Sequence, residues 1–193
     1  MIEFEYGSIR KLAKALAEEG VPDDVAGHIL EGGSGVPKDA SRQCKAAWLA
    51  EAMRRMDATL DEATRHAVRE RCACCLGGKR LEVSRGIARD HESLEDRIRA
   101  ADDAKFVFGH SVSLTETGDV LVSFSPEGLA HYGCACLPVA EEPMSITYCY
   151  CCGGHVKHHL QKALGRKLAV TVLSSASSSG GKEPCTFRFR VLG

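Results

Sequence analysis

The sequence predicts an α+β protein: a helical N-terminal region packed on a C-terminal, mostly antiparallel sheet that carries a helix followed by a β-hairpin. Three observations predict it. Apolar residues recur at helical spacing, between capping residues, through the first hundred positions. Beyond Lys105 the pattern shifts to strand-like alternation and turn residues. Gly165 then stands where a helix C-cap belongs, with two alternating segments after it.

Taken in order, Ser8 caps a first helix with apolar face Ile9, Leu12, Ala13 and Leu16, and Gly20 stops it. Pro22, Asp23 and Asp24 suit the first turn of a second helix running to Leu30. The glycine-rich stretch from Glu31 to Pro37 is the clearest break in the chain. Asp39 or Ser41 then caps a longer helix burying Trp48, Leu49, Ala52, Met53 and Met56. Asp61 starts another towards Cys72, and Ser93 to Ala101 repeats Leu94, Ile98 and Ala101 on one face. Phe106 to Phe108 with Val112 to Leu114 reads as a strand, Thr117 to Asp119 as a turn, and Val120 to Phe124 as its partner. Ser145 to Cys149 reads as a third strand, and Gly153 and Gly154 open a helix that ends at Gly165. Leu168 to Leu173 and Thr186 to Val191 alternate as strands, joined by a flexible connection from Ser174 to Gly181. The expected division is a helical region over 1–102 and an α+β unit over 103–193, integrated into one globular domain because the cysteine groups lie on both sides.

Composition narrows the partners. With 25 Lys and Arg against 26 Asp and Glu, the chain lacks the basic excess of a nucleic-acid binder. No apolar run approaches the roughly 20 residues that span a bilayer. The first twenty residues carry no signal-peptide core, so the expected compartment is the cytoplasm.

Cysteine is the outlier, with ten in 193 residues. In a reducing compartment such thiols stay free or bind metal. Eight of the ten fall in three groups: Cys72, Cys74 and Cys75; Cys134 and Cys136; and Cys149, Cys151 and Cys152. The segments CACCLGG from Cys72 and CYCCGG from Cys149 resemble each other. Each hides a C-x-x-C pair followed closely by glycine, a spacing that lets two thiolates on a tight turn reach one tetrahedral ion at about 2.3 Å. Cys72, Cys75, Cys149 and Cys152 therefore form an expected zinc quartet, with an iron–sulfur cluster as the alternative all-thiolate occupant. Cys74, Cys134, Cys136 and Cys151 form a second quartet or a set of free thiols beside the first. The bland reading, small buried hydrophobes, is preferred for Cys44 and Cys185.

Cys151 and Cys152 stand before the expected N-terminus of a helix, where the dipole favours thiolate, and His155 is close enough to act as base. They are the candidate catalytic residues of an enzyme. His155 and His159 share a helix face at i, i+4, with His158 beside them, but Val156 replaces the glutamate of the H-E-x-x-H pattern. The competing reading makes this histidine run a solvated helix face. His131, beside Cys134, is a weaker ligand candidate, and His110 weaker still.

The segment TYCYCCGGH from Thr147 to His155, the helix closing on Leu164 and Gly165, the strand Ala169 to Leu173, then Gly180, Gly181, Cys185 and Phe187 together resemble a group of uncharacterised prokaryotic cysteine-rich proteins. More distantly, residues 105 to 193 resemble the 4-vinyl-reductase-like small-ligand-binding domain. That resemblance implies a helix followed by a β-hairpin, a small hydrophobic ligand and cysteines as metal ligands. An acidic residue frequent in that family at the end of the penultimate strand is replaced here by Ser174 or Ser175, so only the cysteines are carried over.

Three functions follow. The first is a zinc-binding protein with a small-molecule-binding or sensory role. The second is a thiolate- or metal-dependent hydrolase acting on a small substrate. The third is an interaction module stapled by metal.

Overall fold

A computed structural model describes residues 4–134, 136–137 and 142–192. Eight α-helices among the described residues are α1 (Gly7–Glu18), α2 (Asp23–Ile29), α3 (Arg42–Thr59), α4 (Glu62–Arg71), α5 (Gly78–Asp90), α6 (Leu94–Asp103), α7 (Lys105–Phe108) and α8 (Tyr150–Leu164). Four strands, β1 (Ser111–Leu114), β2 (Val120–Ser123), β3 (Lys167–Ser174) and β4 (Thr186–Leu192), form one antiparallel sheet in the order β1-β2-β4-β3. The fold is α+β, with α8 followed by the β3–β4 strand pair, as the sequence predicts.

Local chemistry sets most boundaries. Ser41 Oγ accepts from Cys44 N, Asp61 from Thr64 N and Ser93 from Asp96 N, so Ser41 and the expected helix starts Asp61 and Ser93 act as N-caps, whereas Ser8 lies inside α1. Gly165 adopts a left-handed conformation at the end of α8 and so releases the chain into β3. Thr115 and Asp119 close the turn between β1 and β2, with Gly118 at φ +81°.

The first half of one expected strand, Phe106–Phe108, and the whole of another, Ser145–Cys149, are helical instead, while Val112–Leu114 lies in β1. Val107 and Phe108 are both buried while Phe106 is 51% exposed, and a strand, whose side chains alternate between faces, cannot bury two neighbours on one side. For the same reason Ile146–Cys149, with Thr147, Tyr148 and Cys149 all buried, is a 3-10 turn that runs directly into α8. Helix α5 was not expected; its buried residues are only Ser84 and Ile87, too few to write a clear apolar stripe. The connection from Ser174 to Gly181 is packed rather than loose: Ser175, Ala176 and Ser177 are buried, and Met144 N donates to Ser177 O at 2.9 Å.

One cluster of buried side chains runs from Leu12 and Met53 through Val68 and Val112 to Leu160 and Phe187. Helix α8 is its axis, touching α4, α5, α6 and α7 and packing on β3. Two glycines make this possible. A Cβ on Gly153 would come 3.1 Å from Val170 of β3, and one on Gly154 would come 2.5 Å from the carbonyl oxygen of Glu70 in α4. The sequence reading gave these glycines to the start of the helix; they lie inside it, as points of close approach. Gly154→Ala is therefore expected to destabilise the protein by about 1–3 kcal/mol through enforced separation of α8 from α4. Urea denaturation would show a lower midpoint with unchanged slope, and an unaltered midpoint would contradict it.

Candidate metal centre

The expected quartet of Cys72, Cys75, Cys149 and Cys152 is not gathered in the structure. Cys72 ends α4 with its buried thiol donating to Val68 O at 3.3 Å. Cys149 sits in the 3-10 turn with its buried thiol donating to Ser175 Oγ at 2.9 Å. Burial pushes both thiols up, Cys149 to about 12, against the opposing help of Ser175 on Cys149 and Arg69 on Cys72. Cys75 follows at a left-handed φ of 59°, the one non-glycine residue with positive φ among those described. Of the others, Cys134 is half-buried and lines a separate cavity with His131, Cys185 is buried and accepts from Ala176 N at 3.4 Å, and Cys44 is exposed on α3.

What the fold does gather is Cys136, Cys151 and Cys152, whose sulfurs all lie within 4.8 Å of one another. Among the described residues they are the group of three or more His, Cys, Asp or Glu with spacing suited to an ion. Cys151 and Cys152 are adjacent in the first turn of α8, and the sulfur of Cys136 lies 3.0 Å from that of Cys152. Four thiolates around zinc, each at about 2.3 Å, stand roughly 3.8 Å apart, so this trio is near the spacing of three tetrahedral corners. Soft sulfur donors also match zinc or an iron–sulfur cluster rather than magnesium or calcium.

A cation stands behind the trio. Arg69 of α4 is 3% exposed, with Nη2 donating to Tyr148 O at 3.1 Å and the guanidinium 4.8 Å from the centroid of the Tyr148 ring. Burial alone would lower its pKa, but the sulfur of Cys151, then those of Cys72 and Cys152 and the Tyr148 phenol, hold it above its ordinary value. Reciprocally, the Cys151 thiol is held well below its ordinary value by hydrogen bonds from Cys136 and Cys152, against burial and with help from Arg69. Cys152 is pushed up because it donates to Cys136 and Cys151, and Cys136 chiefly because it donates to Cys151. Of the three sulfurs, Cys151 is therefore the one whose surroundings favour the thiolate. The helix dipole contributes less than the sequence suggests, because N–H groups where the 3-10 turn runs into α8 already bond back to Thr147 O and Tyr148 O.

The histidines of α8 have a different task from either sequence reading. His159 is wholly buried, and His155 and His158 are half-buried, so the run is not a solvated face. His155 Nδ1 lies 2.7 Å from Cys74 O, and His159 Nε2 lies 3.0 Å from Cys75 O. A carbonyl only accepts, so each of these nitrogens carries the proton. His155 is left with an Nε2 lone pair, while His159 Nδ1 lies 3.0 Å from Ser84 Oγ, which also bonds Arg80 O at 2.8 Å. The i, i+4 pair therefore clamps the backbone of the Cys74–Cys75 loop against α8.

Loop and trio share a cavity of about 420 Å³. Its lining includes Phe106, Phe108 and Phe124, His155, and six of the ten cysteines: Cys74, Cys75, Cys136, Cys151, Cys152 and Cys185. Residues 8–191 match a family of unknown function, DUF6144. The chain belongs to that family. No curated protein matches it. In this DUF6144 chain sequence reasoning missed Arg69, although its place three residues before Cys72, on one face of α4, was a signal available for use.

His159 makes the clamp sensitive to pH. Burial, opposed by its bond to Cys75 O, lowers its pKa from 6.5 to about 4. The unfolded chain takes up the proton first, so this group's contribution is complete above pH 6.5 and is lost progressively as pH falls towards 4. His159→Gln, which keeps an N–H for Cys75 O, is expected to lose less stability between pH 7 and pH 5 than the wild type in urea melts. Equal losses in the two proteins would refute the assignment.

Proposed function

We propose that this DUF6144 protein binds zinc and uses the metal-bearing site to hold or sense a small, largely apolar molecule. The observation that carries the reading is the juxtaposition of three thiols, Cys136, Cys151 and Cys152, with an aromatic-lined cavity. Three protein ligands leave a tetrahedral ion one position for a water or a small molecule, the arrangement that separates working zinc sites from closed structural ones. Bound zinc would supply Lewis acidity and affinity for soft or basic donors. Cys74, Cys75 and His155 line the same cavity and would shape what enters it. The distant resemblance of residues 105 to 193 to the 4-vinyl-reductase-like small-ligand-binding domain supports a small hydrophobic ligand. All ten cysteines are free thiols, which supports a reducing, cytoplasmic setting.

Metal analysis of tag-free protein tests the metal half. We expect about one zinc per chain in the wild type and in Cys44→Ser, and loss of most of it in Cys151→Ser and Cys152→Ser. Wild-type protein without zinc or iron would end this reading.

A second reading rests on an observation of its own, the buried cation behind Cys151. A thiolate held there could act as a nucleophile on a small substrate, with the free Nε2 of His155 as base. After metal removal, Cys151 is expected to react with iodoacetamide at pH 6 at least about ten times faster than any other cysteine. Uniform slow labelling, read by peptide mass spectrometry, would dismiss this alternative.

A further inference from the structure

Helix α5 opens with charges that its own stability does not explain. Its first turn carries Lys79 and Arg80 with no acidic residue, and no side chain caps it. Cations at that end oppose the helix dipole. Arg80 is half-buried and lines the cavity beside the thiol trio, where Nε donates to Phe106 O at 3.2 Å. That bond fixes the guanidinium from one side, and among the described residues no carboxylate pairs with it. Lys105 lines the same cavity but is already paired with Asp102 at 2.9 Å. Lys79 is occupied with the Phe106 ring, 5.6 Å from its centroid. The described lining includes no Asp or Glu, and Val107, Phe108 and Phe124 give it an apolar wall. Apolar walls with few, placed polar groups are the make-up of small-molecule sites.

We propose that the cavity takes a small apolar molecule bearing one carboxylate, and that Arg80 binds the carboxylate. The proposal rests on the small-molecule half of the functional reading and deepens it by naming the ligand class. With Nε engaged, the two Nη groups of a planar guanidinium remain to meet the two oxygens of a carboxylate. A single unbalanced cation matches a single negative charge. A dianionic phosphate would bring a second charge, and Lys105, the other cation on the lining, already has Asp102. A cationic ligand would meet Arg80 and Lys105 with no acidic residue on the described lining to hold it. The Nε bond ties α5 to α7, the helix that supplies Phe106 and Phe108, so charge and apolar wall are held in one register.

The experiment titrates the full chain by calorimetry with two probes of one shape, naphthoate and its neutral carboxamide, in zinc-loaded and metal-free protein. Arg80→Gln is compared with wild type, with Arg80→Met as a second neutral variant should the glutamine fail to fold, and circular dichroism checks each fold. We expect wild type to bind naphthoate about tenfold more tightly than the carboxamide, with or without zinc. The neutral variants should lose that preference while binding the carboxamide close to wild type. Equal affinities in wild type, or a preference that survives in a folded neutral variant, would overturn the proposal and leave an apolar-ligand site standing. A preference confined to zinc-loaded protein would place the carboxylate on the metal and overturn the role of Arg80. Binding of neither probe would overturn both the proposal and the small-molecule reading, whereas metal content is read separately.

Discussion

Helix α8 can reach its place only because Gly154 offers no side chain to the backbone of Glu70, and the site depends on that approach. A Cβ there would stand 2.9 Å from Glu70 Cα and closer still to its carbonyl oxygen. One turn of α8 beyond the contact, Lys157 Nζ meets Glu70 carboxylate at 2.6 Å, a partly buried pair that adds direction to the packing. With the two helices in this register, the first turn of α8 faces the last turn of α4. Cys151 and Cys152 then meet Arg69, while His155 and His159 reach the loop that follows Cys72. Neither half of the site exists without the other, since ligands and counter-charge come from elements far apart in sequence.

The protein divides its thiols by environment. Cys72 and Cys149 carry the C-x-x-C pattern yet are deep in the core, each donating to a neighbouring oxygen and each resisting ionisation. Cys151 lies beside two thiol donors and a guanidinium, where the same burial is outweighed. Such segregation lets a cysteine-rich chain keep reactive sulfur at one place. The clamp on Cys74 and Cys75 serves the same end, because it holds a residue in the left-handed region, at a cost of roughly 1–2 kcal/mol, against the cavity wall.

Much of the fold was legible because it is written locally. Ser41, Asp61, Ser93 and Gly165 each mark a helix end through a bond or a backbone conformation that involves only near neighbours. The strands from Val112 onward were legible for the same reason, their alternation being a property of the segment itself. Phe106–Phe108 and Ser145–Cys149 misled because a short run of apolar residues fits a strand and a fully buried helical turn equally well. The cysteine groups were legible as groups, but their pointing was not. C-x-x-C implies a metal knuckle only where the backbone turn aims both sulfurs at one point. At the junction of the 3-10 turn with α8, Cys149 and Cys152 diverge, one towards Ser175 and the other towards Cys136.

This divergence explains why the sulfur pair most adjacent in sequence, and least suited on paper to share an ion, is the pair the fold brings to Cys136. In the first turn of α8, Cys151 and Cys152 both line the cavity, Cys151 with Arg69 beside it, and the sulfur of Cys136 meets the pair there. A pattern set by turn spacing would have produced a closed four-thiolate staple. A pattern set by helix packing instead leaves three sulfurs beside a cavity with a cation behind them. A closed four-thiolate site has no room for a further ligand, whereas three sulfurs beside open space leave room for one.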